Sequence, residues 1–362
     1  MGFEIDFLPV GDGEKGGDTI ALRYGKLDGS RSEQVLIVID GGTKESGEDL
    51  VKHIIKYYKT EHVDKVISTH PDADHSSGLT VILEKLKVDC LWMHRPWEHA
   101  QVIKDAFKNG RITGKGLKES IKKSLENAYE LETIAKRKEI PIFEPFSDLS
   151  KKDDQLIILG PSEEFYEDLL PNFRETPEPK EAVSWPEKLV ILVKEVVKWI
   201  AETWGMETLT DPEEGETSAE NNSSTILLLP LNEKKFLFTS DAGTEALNNA
   251  INKAESLGID LREVGFFQIP HHGSKHNVGP TILNHIIGEK LQEQKHLKTA
   301  FVSAPKDGDP KHPSRKVINA LKRRGAEAYT TKGIPICHRS PDAPDRGWHK
   351  AEPLPFYEQV AE

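Results

Sequence analysis

The chain has 362 residues, of which 36% are hydrophobic and 30% are charged, and it contains 22 prolines. This ordinary globular composition excludes a fibrous or disordered class, and the length allows one large domain or two smaller ones. The formal net charge of −12 argues against generic adhesion to nucleic acid or to acidic membranes.

The sequence contains no targeting or membrane signal. It starts without a basic leader followed by an apolar stretch, and it has no run of about 18 apolar residues. The two cysteines, Cys90 and Cys337, are too few for the disulfide framework of a secreted protein. We therefore expect a cytoplasmic protein with no membrane association, and we assign neither cysteine a catalytic role.

Short β-branched and apolar runs predict strands along the whole chain. In order, these runs are EIDFLPV, DTIALRY, VLIVID, DKVIST, LIILG, TILLLP, KFLFTS, VGFFQI and TAFVSA. The early runs are separated by turn sequences such as GDGEKGG, whereas the later runs alternate with segments of helical period. This mixture indicates helices that cover a pair of sheets, which is an α/β layer architecture.

Two blocks interrupt the strand pattern. Residues 96–138 are rich in Lys and Glu and predict one or two exposed helices. Residues 163–222 include an amphipathic helix predicted over 184–204, for which core packing and contact with a protein partner both stay open. An acidic loop over 207–220 follows, with six acids and no Lys or Arg, and we expect this loop to be mobile.

The stretch STHPDADHSSG, residues 68–78, places His70, Asp72, Asp74 and His75 within six residues. Such crowding is unfavourable unless a divalent cation gathers the groups, and imidazole and carboxylate both ligate borderline metals. The stretch lies between a strand end and a helix start, where ligand sites of α/β proteins collect. Helix capping and turn hydrogen bonds would explain only one or two of the four residues.

Two later strand ends deliver the same residue types. Asp241 follows the strand KFLFTS, and His271 and His272 follow VGFFQI in the loop PHHGSKHN. A lone Asp in such a position is most often a helix N-cap. Because three separate strand ends carry His or Asp, the sequence favours a common site.

Together these motifs carry a resemblance. THPDADHSSGL resembles the HxHxDH signature of the metallo-β-lactamase fold, in the HxDxDH form found in ComEC-like competence hydrolase domains. Five further segments are similar to motifs of that family, namely DFLPVGDGEKGGDTIAL, VLIVIDGG, FLFTSDAG, IPHHGSKHN and VSAPKDGDPKHPSRKVINALKRRGAEAYTT. The resemblance implies a four-layer αββα sandwich in one domain over residues 1–362, with the helical blocks 96–138 and 163–222 as insertions.

The resemblance also implies a two-metal site at one edge of the sandwich. The implied ligands are His70 and Asp72 for the first ion, Asp74 and His75 for the second, Asp241 as the bridge, and His271 or His272 for the second ion. We favour His271 as the ligand and leave His272 to contact the substrate. The implied cofactor is one or two Zn²⁺ or Mn²⁺ ions per chain.

Three features depart from the common signature. Asp72 stands where a histidine is usual, which makes the first position accept oxygen-preferring metals such as Mn²⁺ as well as Zn²⁺. The histidine expected before the strand that leads to Asp241 is missing, and Asn221 or Asn222 of AENNSS stands there. Ser240 replaces the glycine that usually precedes the bridging Asp. We therefore expect the first position to be the weaker one.

Metal ions at such a site supply hydrolytic chemistry. A bound divalent metal lowers the pKa of water from 15.7 toward about 7, and two ions about 3.5–4 Å apart stabilise both oxygens of a phosphoester displacement. We expect metal-activated hydroxide to attack, with Asp74, Asp241 and His272 as catalytic residues and Asp74 able to take up the proton. The expected substrate contacts are Ser274, Lys275, His312 and Asn222.

Three functional hypotheses stay open. The first is hydrolysis of phosphodiesters in DNA or RNA, and the second is hydrolysis of a small ester, lactone or cyclic nucleotide, because a fold does not fix a substrate. The third is a regulatory module with a degenerate site, in which the helix over 184–204 binds a protein partner.

The first hypothesis draws on a basic C-terminal stretch that could follow a nucleic-acid backbone. Its cationic residues are Lys311, Arg315, Lys316, Lys322, Arg323 and Arg324. The solvated face of a helix explains the same charges nearly as well.

Overall fold

The computed structural model describes residues 1–11, 16–108, 112–149, 155–174, 176–177, 179, 198–307 and 311–361. Within these ranges the strands are β1 (Gly2–Phe7), β2 (Thr19–Gly25), β3 (Gln34–Gly41), β4 (His62–Val63), β5 (Lys65–Ser68), β6 (Lys87–Val88), β7 (Leu91–Met93), β8 (Ile142–Phe143), β9 (Ile157–Gly160), β10 (Trp199–Ala201), β11 (Ile226–Leu231), β12 (Lys234–Phe238), β13 (Phe266–Gln268), β14 (Lys298–Val302), β15 (Ala326–Thr330), β16 (Ile336–Arg339) and β17 (Gln359–Ala361).

In the same ranges the α-helices are α1 (Lys44–His53), α2 (Ala73–Lys85), α3 (Ala100–Ile103), α4 (Gly114–Ser124), α5 (Glu126–Arg137), α6 (Glu163–Leu169), α7 (Ala219–Asn222), α8 (Thr244–Ser256), α9 (Pro280–Ile287) and α10 (Arg315–Arg323). None of these helices has the length and hydropathy needed to cross a bilayer.

Two large sheets form the centre of the described fold. The first has the strand order β16-β1-β2-β3-β5-β7-β8, and the second has the order β15-β14-β13-β12-β11-β9. Strands β3, β5, β7 and β8 run parallel in the first sheet, and β12, β13, β14 and β15 run parallel in the second. Each sequence run predicted as a strand contributes a strand to one of these two sheets.

Side-chain alternation along the strands builds four layers. In β3, Ile37 and Ile39 belong to the hydrophobic cluster between the two sheets, whereas Leu36 and Val38 belong to the cluster shared with the helices on the outer face. Successive side chains of a strand point to opposite faces, so a strand apolar at every position serves two cores. A third cluster joins the second sheet to α8, α9 and α10. The αββα sandwich predicted from the sequence is therefore confirmed.

Residues 96–138, the first of the two expected insertions, pack on the outside of the first sheet. They contain α3, α4 and α5, and α5 packs against α2. Leu131 and Ile134 of α5 are buried in the same cluster as Leu79 of α2. Each such fully buried aliphatic side chain contributes roughly 1.5–3 kcal/mol relative to an exposed one. These helices therefore bury an apolar face in addition to exposing a charged one.

The helix predicted over 184–204 falls mostly outside the described residues, which omit 180–197. Its described end is not helical, because Trp199–Ala201 forms β10 and pairs antiparallel with Gln359–Ala361. The helix prediction is wrong at this end. Helical spacing of apolar residues is a local signal, and here pairing with a strand at the far end of the chain overrides it.

The acidic stretch 207–220 is anchored at several points, against the expectation of a mobile loop. The carboxylate of Glu207 lies 2.7 Å from Arg324 Nη1. Asp211 accepts hydrogen bonds from the backbone N–H and the hydroxyl of Thr281 in the first turn of α9. Asp211 thus satisfies N-terminal donors of α9, and Glu207 neutralises the buried Arg324, so both acids stabilise the fold.

Part of the basic C-terminal stretch is inside the protein. Arg323 and Arg324 are 1% and 2% exposed, and Lys322 is 4% exposed. Arg323 pairs with Glu202 and Arg324 pairs with Glu207. The prediction that these three cations follow a nucleic-acid backbone is therefore wrong, because burial withdraws all three from solvent and ion pairs occupy Arg323 and Arg324.

Burial of His94 predicts a pH-dependent stability. The ring packs against Phe146 and Tyr166 with centroids 4.6 Å from each, and burial lowers the pKa of His94 from 6.5 to about 3. Between these two values the unfolded chain binds more protons than the folded chain. Stability therefore falls as the pH is lowered from about 6.5, by up to about 1.4 kcal/mol per pH unit for this group.

Thermal unfolding measured from pH 7 to pH 4 checks this expectation. We expect the unfolding temperature to fall with the pH, and we expect His94→Gln to flatten that dependence. His62→Gln, at a partly exposed histidine paired with Asp89, is the matched control. Equal slopes for His94→Gln and the parent protein would contradict the assignment.

Candidate metal centre

The candidate site lies where strands of both sheets end. Strand β5 of the first sheet leads to His70, while β12 and β13 of the second sheet lead to Asp241 and to the pair His271 and His272. The parallel strands of the two sheets therefore deliver these four side chains to one edge of the sandwich. This edge is the usual place for ligand sites in α/β folds.

The turn between β5 and α2 supplies the remaining predicted ligands. Helix α2 begins at Ala73, with Asp72 in the N-cap position and Asp74 in the first turn. Carboxylates are favourable at a helix N-terminus because of the helix dipole. His75 is completely buried, whereas Asp74 is partly exposed.

Two glycines let the N-terminal loop approach this turn. A Cβ atom on Gly17 would lie 1.8 Å from the carbonyl oxygen of Asp74, and one on Gly16 would lie 2.9 Å from the ring of His272. A residue with a side chain therefore cannot replace Gly17 without moving the backbone. The close approach brings Asp18, the next residue, beside the site.

Left-handed backbone is concentrated at this edge. Ser240, His271 and His272 have φ angles of 47°, 46° and 54°. Such angles are unfavourable for residues other than glycine and cluster at functional sites, which explains why glycine suits position 240. The hydroxyl of Ser240 lies 2.6 Å from the hydroxyl of Thr69, a contact that a glycine could not make.

Ligand-type atoms converge on the Asp241 carboxylate. The Nε2 atom of His75 is 3.5 Å from Asp241 Oδ2, and the Nε2 atoms of His70 and His271 are each 4.0 Å from it. These distances exceed those of good hydrogen bonds. Within the described chain, Nε2 of His70, Nε2 of His75 and Oδ1 of Asp241 have no hydrogen-bond partner. Buried polar atoms rarely stay unpaired, so these atoms are candidates to bind a cation.

The two neighbouring histidines of the HHGS loop differ in their surroundings. His272 lies with Asp74 and His75 in one group of ligand atoms within 4.8 Å of one another, and with Asp241 and His271 in another. The Nδ1 atom of His272 donates to the carbonyl of Ser303 at 2.9 Å. This bond leaves Nε2 of His272 as the nitrogen with the lone pair, as a metal ligand requires.

His271 is less suited to ligate than the sequence analysis expected. Its Nδ1 atom lies 3.0 Å from Nδ2 of Asn221. When the amide donates to Nδ1, a neutral His271 carries its proton on Nε2, and that nitrogen cannot bind a metal. The geometry therefore favours His272 over His271 as the partner of Asp74 and His75.

Asp40 positions His75, a role that the sequence analysis did not assign. Near the end of β3, its Oδ2 atom accepts from Nδ1 of His75 at 2.8 Å and from the hydroxyl of Thr69 at 2.6 Å, and its Oδ1 accepts from the Thr69 backbone N–H at 2.9 Å. A carboxylate on Nδ1 fixes the ring and its tautomer and turns Nε2 toward the cluster. The sequence signal for this role was the segment VLIVIDGG, which contains Asp40 and is similar to a motif of the family.

Asp18 is a second carboxylate that the sequence analysis missed. It is 4% exposed and its Oδ2 atom accepts from Nε2 of Gln268 at 2.7 Å. Ligand atoms of Asp18, His75 and Asp241 lie within 4.8 Å of one another. Burial raises the pKa of Asp18 to about 6, although the charge of His75 acts in the opposite direction.

The pKa values of His75 and Asp241 are shifted by their mutual interaction. Burial alone would lower the pKa of His75, but the carboxylates of Asp241 and Asp40 outweigh it and raise the pKa well above its usual value. Burial would likewise raise the pKa of Asp241, but the neighbouring histidines, His75 foremost, hold it well below the usual range. The buried carboxylates thus stabilise a cation beside them.

A cavity of about 410 Å³ opens onto the cluster. Asp72, Asp74, Asp241 and His272 line it, as do Ser274 and His312. Two of the four expected substrate contacts, Ser274 and His312, therefore face the cavity.

The other two expected contacts lie elsewhere. Asn222 is 2% exposed, and its Oδ1 accepts from the backbone N–H of Gly243 before α8. The prediction of a substrate contact at Asn222 is therefore wrong, and its neighbour Asn221 lines the cavity instead. Lys275 lines an adjacent cavity.

The block at residues 163–222 contributes to the cavity wall. Arg174 and residues 216–218 belong to this block and line the cavity, whereas the described lining contains no residue of the block at 96–138.

A comparison with protein families matches most of the chain. The family described as the metallo-beta-lactamase superfamily matches residues 31–279. Among curated proteins, ComE operon protein 3 of Bacillus subtilis (strain 168) is 31% identical over 120 residues, which are 33% of this chain and 14% of that protein. The chain thus spans a small part of that relative's length.

Solved structures give weaker likenesses. A structure described as a metallo-beta-lactamase from Thermotoga maritima has a TM-score of 0.32 at 12% identity, covering 67% of this chain and 79% of that chain. A structure described as a new diphosphatase from the PhnP family has a TM-score of 0.34 at 12% identity, covering 94% of this chain and 98% of that chain.

Proposed function

This chain belongs to the metallo-beta-lactamase superfamily of hydrolases, and we propose that it is a divalent-metal-dependent hydrolase of phosphodiesters. The observation that carries the proposal is a set of overlapping groups of ligand atoms at one edge of the two sheets: Asp74, His75 and His272 form one group, and Asp241 shares others with His272 and with His75. The resemblance of THPDADHSSGL to the ComEC-like form of the signature supports a phosphodiester substrate.

The residues at this edge fit a divalent cation. Nε2 of His75 and Oδ1 of Asp241 are buried atoms without a hydrogen-bond partner in the described chain, and imidazole nitrogen with carboxylate oxygen suits Zn²⁺ or Mn²⁺. Asp74, His75, Asp241 and His272 would hold the ion, and Asp40 would keep His75 in the ligating tautomer. When bound, the ion would activate water and polarise a phosphoryl oxygen.

The remaining roles fall to side chains on the cavity wall. Ser274 lines the cavity, and its hydroxyl would donate to a non-bridging phosphate oxygen. Asp74 is partly exposed there and would accept a proton from the attacking water. His312 would contact the leaving side of the substrate. Together these groups orient a phosphodiester without a side-chain nucleophile.

A nucleic-acid substrate rests on fewer cations than the sequence analysis expected. With Lys322, Arg323 and Arg324 buried, only Lys311, Arg315 and Lys316 of the basic stretch remain as proposed backbone contacts. Nucleic acid therefore stays one proposed phosphodiester among others.

The size of the cavity favours a second candidate function. A volume of about 410 Å³ lies within the range of roughly 300–1,000 Å³ common for small-molecule sites. Arg174 and residues 216–218 close one part of its wall. Hydrolysis of a cyclic nucleotide, a lactone or another small ester would suit such a site.

A substrate panel tests the proposal. The full chain, purified without chelator, is assayed with Mn²⁺ or Zn²⁺ on bis-p-nitrophenyl phosphate, single-stranded DNA, cyclic nucleotides and lactones. We expect hydrolysis of phosphodiesters, and we expect Asp241→Asn to lower the rate by more than about 100-fold, because it removes charge and a ligand from the site.

Asp49→Asn, at an exposed residue paired with Lys52 on α1, is the matched control and should keep the parent rate. No phosphodiester hydrolysis with either metal would contradict the proposal. Cleavage of small esters or lactones without phosphodiesters would assign the second candidate.

Substitution of Asp40 tests the positioning of His75. Asparagine has the same size and tolerates the left-handed backbone of this residue, whose φ is 52°, but it offers His75 a weaker acceptor. We expect Asp40→Asn to lower the affinity for Zn²⁺ by about 10- to 100-fold, as loss of such supporting contacts usually does. Isothermal titration calorimetry measures the affinity, and equal affinities for Asp40→Asn and the parent would refute the role.

A further inference from the structure

Arg174 of the block at residues 163–222 contacts the first of the two implied metal positions. Its Nη2 atom lies 2.9 Å from Oδ1 and 2.7 Å from Oδ2 of Asp72. Its Nε atom donates to Oε1 of Glu220 at 3.0 Å, and its backbone N–H donates to the same oxygen. The guanidinium therefore links an expected metal ligand to a second carboxylate.

The contact with Glu220 holds Arg174 in place independently of Asp72. Glu220 lies in α7 and is 2% exposed, so its carboxylate needs a positive partner. The Arg174 side chain is 62% exposed, but its backbone N–H and its Nε atom both donate to the Glu220 carboxylate. This second anchor reduces the entropy cost of ordering that limits a lone exposed ion pair. The contact with Glu220 therefore holds the Arg174 guanidinium beside Asp72.

The two metal positions have unequal sets of donors. The second position has Asp74, His75, His272 and the shared Asp241, which form overlapping groups of close ligand atoms. Of the expected ligands in the described residues, the first position has His70 and Asp72 besides the shared carboxylate.

Among the described residues, His271 brings a further imidazole to this edge, with Nε2 4.0 Å from Asp241 Oδ2, but its Nε2 carries the proton when Asn221 donates to Nδ1. Asn221 or Asn222 stands where the resemblance would place a further histidine, and the amide of Asn221 contacts His271. The first position therefore has the fewest donors, and one of those donors already has a cationic partner.

We infer that the Arg174 guanidinium replaces the first metal ion, so that the chain binds a single divalent cation at the Asp74, His75, Asp241 and His272 position. A guanidinium stays charged at any relevant pH. A divalent ion on Asp72 would lie close to that fixed charge and would compete with it for the same carboxylate. This inference rests on the proposed function for the existence of a metal site.

The metal content of Arg174 variants tests the inference. The full chain is stripped with chelator, dialysed and titrated with Mn²⁺, and bound ions are counted by calorimetry and by mass spectrometry of the metal. We expect one equivalent for the parent protein and two for Arg174→Gln, which removes the charge but keeps most of the side-chain length.

Arg174→Lys is the matched control because it keeps a positive charge, and we expect it to bind one equivalent. The side chain of Arg174 is 62% exposed, and thermal unfolding of each variant checks that the fold is kept. Electron paramagnetic resonance adds a readout independent of activity. The parent should give the hyperfine pattern of an isolated Mn²⁺ ion, and Arg174→Gln should give a spin-coupled pair.

Two equivalents in the parent would overturn the inference, and so would one equivalent in both the parent and Arg174→Gln. The outcome is separable from that of the proposed function. A parent that binds one ion but cleaves no phosphodiester would contradict the function and leave the inference standing. A parent that cleaves phosphodiesters with two bound ions would support the function and contradict the inference. A parent that binds no ion would contradict both the function and the inference.

Discussion

Buried negative charge at the shared edge of the two sheets is the constraint on which this structure depends. Asp18, Asp40 and Asp241 are each less than 5% exposed, and a buried carboxylate costs several kcal/mol unless a cation or hydrogen-bond donors offset the loss of water. The fold supplies donors from Gln268 and Thr69 and charge from His75. The unpaired ligand atoms that remain are what a divalent cation would satisfy.

Much of the fold follows from local pattern. Apolar runs such as VLIVID serve two cores at once, and alternation along β3 shows why the sheets stack between helical layers. The hydrophobic pattern predicts the wrong structure where contacts with residues far away in the sequence determine the conformation. The segment at 199–201 becomes a strand only because residues 359–361 pair with it. Arg323 is buried because groups far away in the sequence bond to it, among them Glu202, 121 residues away.

The same division holds for the site. The sequence predicts four candidate ligands because they crowd into one turn, namely His70, Asp72, Asp74 and His75. Asp241 is predicted to join them because it also follows the end of a strand. Supporting residues carry no such local signal, because a single carboxylate before or within a strand is a common feature. Asp40 and Asp18 act through tertiary contacts to the site, and Arg174 reaches Asp72 across 102 residues. Sequence motifs thus identified the ligands of the proposed site more readily than the groups that orient or neutralise them.

The proposed function requires that these residues gather around a metal ion. Anomalous scattering from a crystal of the full chain grown with Zn²⁺, recorded on both sides of the zinc absorption edge, would locate that ion. We expect a peak within bonding distance of Asp74, His75, Asp241 and His272. A peak found only elsewhere, for example at the surface group of His62, Asp64 and Asp89, or no peak at all, would contradict it.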